Sequence, residues 1–135
     1  MRDGFKNSGS VVLMVVFVVA LLSVLVIGIL QMNTEEIQLM RNRISAAEAL
    51  AIAEAGLNDA FAEIRADSAW SVGFSDKPFI GGGSYTVEVT NELPNPTIRS
   101  TGTTAEGFVA SMETDVTVGV VPPYVIRIDK LRVNE

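Results

Sequence analysis

The side chains able to act chemically in this chain are few in kind. Its 135 residues include no cysteine and no histidine. That removes disulfides, thiolate nucleophiles, imidazole bases and the usual zinc and haem ligands. Hydroxyls, carboxylates, Lys and Arg remain. The carboxylates of Asp67, Asp76, Glu88, Glu92, Glu106, Glu113 and Asp115 fall on predicted loops and polar strand faces, scattered as a solvated surface scatters them. Glu113 and Asp115 stand two apart on one face of a predicted strand, a spacing that could present two carboxylates to calcium, although exposed charge is the simpler reading. Gly81-Gly82-Gly83 lacks the Lys-Ser/Thr that completes a phosphate-binding loop. Ten Lys and Arg against 16 Asp and Glu give a net charge of −6, opposite in sign to what a nucleic-acid backbone attracts. A small basic group, Arg127, Lys130 and Arg132, is the local exception. No cofactor, no metal and no enzymatic activity are expected.

A different pattern dominates. Val11 to Leu30 reads VVLMVVFVVALLSVLVIGIL, 20 residues without a charge. As a helix the run spans about 30 Å, the thickness of a bilayer's hydrocarbon core. It is apolar on every side rather than along one stripe, so a small domain has no way to bury it. The run exceeds the roughly 7–15 apolar residues of a secretory signal, and Gln31-Met32-Asn33-Thr34 offers no small-x-small cleavage site. Arg2 and Lys6 on its leading side place the remainder of the chain outside the cytoplasm by the positive-inside rule.

From Gln31 to Asp67 there is no proline and only one glycine, Gly56, so the helix is expected to continue to about Asp67. Two stripes run along this extension. Met40, Ile44, Ala47, Leu50, Leu57, Phe61 and Ile64 form an apolar one, with Glu54 inside it and expected to reach solvent at its edge. Ala46, Ala49, Ala53, Gly56 and Ala60 form a second one of small residues. It reads either as ordinary alanine-rich helix or as a face that neighbouring helices approach closely.

Beyond Asp67 the chain changes character. Ser68 to Gly83 reads as a loop. Ser84 to Thr90 alternates strictly, Thr97 to Thr104 is a weaker strand anchored by Ile98, and Phe108 to Val120 is a long third one. Pro122-Pro123 precedes a fourth that begins with Tyr124, Ile126 and Ile128. Leu131 and Val133 have the opposite parity, which predicts a bulge near Asp129-Lys130 or exposure at the terminus. The expected fold class is α+β: a long N-terminal helix, transmembrane in its first half, packed on a small antiparallel β-meander. The boundaries read 1–9, 10–32 (transmembrane half), 33–67 (amphipathic half) and 68–135 (β domain).

Met1 to Gly9, polar and basic and ending in glycine directly before the apolar run, resembles a prepilin leader. The whole chain resembles type IV pilins and pseudopilins, closest to the PilX-like minor pilins. The resemblance is carried by Ser45-Ala-Ala-Glu-Ala-Leu-Ala-Ile-Ala-Glu-Ala-Gly-Leu57, by Gly83 to Val89 and by Ile98 to Gly102. It implies that prepilin peptidase cuts after Gly9 and that Ser10 becomes the N-methylated first residue. Without Arg2, Asp3 and Lys6, the mature part would hold 8 basic and 15 acidic residues. Major pilins carry a glutamate as the fifth residue after the cut; here that position is Met14, which is similar to tip or initiating subunits, including the GspK-like pseudopilins.

The implied function is structural: a minor pilin or pseudopilin of a type IV pilus or type II secretion filament, assembled through its N-terminal helix by Met14 and the Ala46–Ala60 stripe. The implied partners are prepilin peptidase, other pilins or pseudopilins, the inner-membrane assembly platform and, before assembly, membrane lipid; nucleic acid is not among them. The implied location is the bacterial inner membrane, single-pass with a periplasmic C-terminal domain, and then a filament. The alternative is a signal-anchored periplasmic β-rich binding module outside any filament.

Overall fold

The computed structural model describes residues 6–90 and 93–134, so most of the leader, with Arg2 and Asp3, and also Glu92 lie outside the described residues. The chain divides into two compact units, Met1–Arg41 and Asn42–Glu135. Helix α1 runs from Lys6 to Ala66, beginning inside the segment read as a leader. No proline falls within it, and its glycines are Gly9, Gly28 and Gly56. Asp67 ends it. The Asp67 amide still donates to the Glu63 carbonyl at 2.8 Å, while its carboxylate accepts from the Ala69 amide at 2.9 Å and turns the chain away.

In the second unit, helix residues 42–66 pack on a five-stranded antiparallel sheet in sequence order: β1 (Phe74–Pro78), β2 (Ser84–Thr90), β3 (Thr97–Thr103), β4 (Val109–Val118) and β5 (Ile126–Asn134). This is the α+β architecture expected, with one more strand. The extra strand, β1, lies in the stretch read as a loop. Its sequence, FSDKP, is too short and polar to alternate visibly, and its register against β2 breaks between Phe74 and Lys77. Pairing with β2 makes it a strand; local propensity does not.

The third strand proves shorter than its apolar pattern suggests. Ala110, Met112, Val116 and Val118 are buried with Thr114 between them, but Phe108 and Val120 lie outside β4 and are exposed. The bulge is present where parity placed it. Asp115 faces Lys130 and Val116 faces Ile128, which leaves Asp129 as the extra residue.

The core lies between helix and sheet. Ile52, Ala53, Leu57, Ala60 and Ile64 meet Tyr85, Val87, Ile98, Met112, Val116 and Val118. Leu50 and Phe61 pack only at its margin, and Met40 and Ile44 are exposed. The buried line therefore runs between the two expected stripes and takes residues from both, together with Ile52, which belongs to neither. Glu54 is exposed, as expected for a carboxylate at the stripe's edge.

Candidate membrane and assembly surface

The first unit presents a helix long and apolar enough to cross a membrane, with a mean hydropathy of 3.3 over its best window. Every large apolar side chain from Val11 to Leu30 is exposed, from 47% at Val18 to 72% at Leu13. A surface like this is stable only against lipid or other apolar helices. Its polar interruptions need no water. The Ser23 hydroxyl donates to the Val19 carbonyl at 2.8 Å, and Thr34 donates to the Leu30 carbonyl at 3.0 Å. Gly9, Ser10 and Met14 lie on this helix and are exposed. A side chain at Gly9 or Gly28 would meet nothing within 4 Å.

The small-residue stripe behaves differently from the expectation of a free face. Ala49, Ala53, Gly56 and Ala60 are buried against the chain's own sheet, while Ala46 is half-buried. What they admit is β3. A Cβ on Gly102 would lie 2.4 Å from the Ala49 carbonyl oxygen and 2.5 Å from the Ala53 amide, so strand and helix backbones are in contact there. A Cβ on Gly56 would lie 2.3 Å from Ser100 Oγ and 2.9 Å from the Tyr85 ring. Small residues permit close approach whatever approaches, and here the sheet takes the place assigned to a neighbouring helix.

Three groups of ionisable side chains come together in the second unit. At the helix–β1–β2 junction, Lys77 Nζ lies 2.6 Å from Asp59 and 4.4 Å from the centre of the Phe74 ring, and the Tyr85 hydroxyl donates to the same carboxylate. Trp70 stacks beside Phe74 at 5.2 Å. The hydrogen bond from Lys77, and then that from Tyr85, holds the Asp59 carboxyl below the usual carboxylate range. The same bond raises Lys77, while burial, and then Asp59, push the Tyr85 hydroxyl up.

A group depressed in the folded state contributes stability that is present above its unfolded pKa and disappears as pH falls through the folded value. The midpoint of chemical denaturation is therefore expected to fall on acidification through the carboxylate range. Asp59→Asn should lower it at neutral pH and flatten that acid limb. The ion pair is 45% and 44% exposed, so the effect is modest. An acid limb unchanged in the variant would remove Asp59 from this role.

On the outer face of the sheet, Glu88, Arg99, Glu113 and Arg132 stand directly opposite one another across β2, β3, β4 and β5. Arg99 binds Glu113 at 2.9 Å, and Arg132 bridges Glu113 and Asp115. The two carboxylates read as a possible calcium site hold a guanidinium instead, and no cluster of three or more carboxylates placed to hold a metal ion occurs among the described residues. The third group is at the start of β5, where Asp129 accepts from Arg127 at 2.8 Å and Thr117 at 2.5 Å; the Thr117 hydroxyl, then Arg127, holds its carboxyl below the usual range. Asp76 accepts from Ser84, and Asp67 serves the turn after α1. Glu88, Glu106 and Glu54 are exposed.

A cavity of about 430 Å³ at the C-terminal end of α1, lined by residues that include Ile64, Trp70, Val89 and Pro96, has no ionisable side chain among the described residues that line it. Sequence reading missed the Asp59–Lys77–Tyr85 group, because its members come from three elements and no motif links them. No family model, no curated protein and no solved structure matches the chain.

Proposed function

We propose that this chain is a structural subunit of a pilus-like or secretion filament, a minor pilin or pseudopilin. It would be held in the membrane by its apolar helix and then taken into a bundle of like helices. One observation carries the proposal. An all-round apolar run begins directly after Gly9-Ser10, within the same helix whose last turns pack on an antiparallel sheet. A plain anchor needs no helical continuity with the domain that it tethers. A subunit assembled through its helix does, since the helix must carry the domain into register with its neighbours.

Helix association in such a bundle would draw on close packing between side chains as apolar as the lipid that they leave. Met14 fits that setting. A carboxylate in its place would cost several kcal/mol in hydrocarbon unless a neighbour paired it, so a subunit with methionine there is suited to a place where no neighbour offers a terminal amine. With the small-residue stripe engaged by the sheet, the surface left for neighbouring helices is the exposed apolar face of residues 11–44.

The test is the intact mass and N-terminal sequence of membrane-extracted protein, made with and without a prepilin peptidase. The expected product begins at Ser10 and carries one added methyl, only when the peptidase is present. An unprocessed chain in both preparations refutes the filament reading and leaves a membrane-tethered β module.

A further inference from the structure

We propose that the free edge of β5 is a docking edge for an extended segment of another protein in which apolar and acidic residues alternate, added to the sheet as its sixth strand. The two edges of the sheet are built differently. β1 has five residues, a broken register, Asp76 at a φ of +47° and a terminal proline, Pro78. Such features close an edge to further pairing. β5 has nine residues, ladders with β4 on one side, and meets no strand among the described residues on the other.

Register places the apolar residues of β5 on the core face. Ile126, Ile128, Leu131 and Val133 stand opposite Val118, Val116, Thr114 and Met112, all of them buried. Leu131 and Val133 reach that face because the bulge at Asp129 shifts their parity. The row continues the hydrophobic core sideways, yet Ile128, Leu131 and Val133 remain 53%, 51% and 47% exposed. An added strand would extend the ladder and flank this row with its own apolar residues.

Charge selects the occupant. The opposite face of β5 carries Arg127, Lys130 and Arg132, three of the chain's ten basic residues. Lys130 has no ion pair among the described residues, since its opposite neighbour Asp115 binds Arg132. Arg127 engages Asp129 through Nε alone. Pairing β5 with β5 of a second copy would set basic side chains against one another, which is destabilising. A strand with carboxylates on that face meets them favourably while its alternate residues extend the core.

The probe is a peptide alternating valine and glutamate, as long as β5, titrated into labelled full-length chain in detergent micelles and followed through the backbone amides. The expected result is a set of shifts centred on Ile126–Asn134, with binding about 10-fold tighter than that of a valine–lysine peptide. Lys130→Glu should narrow or reverse this preference. Unchanged β2 amide shifts in the free variant, two strands away from β4, would show that its sheet is intact. Equal affinity for the two peptides, no binding at millimolar concentration, or shifts elsewhere overturns the proposal. So does a single-stranded oligonucleotide that moves the same amides more strongly, or concentration-dependent self-association that moves them without peptide.

Discussion

Gly102→Ala is expected to lower the stability of the second unit by about 3 kcal/mol, or to prevent its folding. The added methyl would overlap the Ala49 carbonyl oxygen, the Ala53 amide and, at 3.0 Å, the Ile52 carbonyl carbon. All three belong to the helix backbone, which cannot rotate out of the way as a side chain can. Helix and strand would have to separate, and the core between Ile52, Ile98 and Met112 would open along its length. Thr101→Ala, one residue away on the outer face, is the control and should change stability little. Gly56→Ala makes the physical distinction clear. Its obstacles are the Ser100 hydroxyl and the Tyr85 ring, and Ser100 Oγ is buried with no hydrogen-bond partner among the described residues. Adding Ser100→Gly should therefore recover part of the loss at Gly56, whereas no side-chain change should rescue Gly102→Ala. Urea denaturation followed by Trp70 fluorescence measures all four. Equal midpoints for Gly102→Ala and Thr101→Ala would mean that helix and sheet do not touch there.

A fragment comprising residues 42–135 is expected to be soluble and folded without detergent, while the full chain partitions into detergent micelles. The buried hydrophobic residues run from Ala49 to Val118, so the fragment retains the whole core. What it loses is the exposed apolar surface from Val11 to Met40. Sedimentation and detergent partitioning, with cooperative urea unfolding as the check on folding, decide it. An aggregated or non-cooperative fragment would show that the sheet depends on the first part of the helix or on a neighbouring chain.

Much of this architecture was legible residue by residue. The apolar run announced itself by length and lack of charge, and the helix continued because no proline interrupts it. β2 alternates strictly, and the parity change after Ile128 located the bulge. Failures had a common cause. β1 is a strand because β2 offers it hydrogen bonds. Val120 continues an apolar alternation but is 94% exposed, because the sheet ends at Val118. The small-residue stripe was visible as a close-contact face, yet nothing in its pattern said that β3 rather than another helix would meet it.

A helix long and apolar enough to cross a membrane, an antiparallel sheet of alternating strands and a chain without thiol or imidazole chemistry follow from composition and short-range periodicity. Those properties depend on each residue and its near neighbours, through transfer from water to an apolar phase and through the side-chain period of helix or strand. The place of Ile52 in the buried line, the Asp59–Lys77–Tyr85 group, the Glu88–Arg99–Glu113–Arg132 row and the open edge of β5 arise between residues on different elements, far apart along the chain. They depend on where backbones can approach one another, and that is decided jointly by Gly56, Gly102 and the register of five strands. No local window contains those terms together.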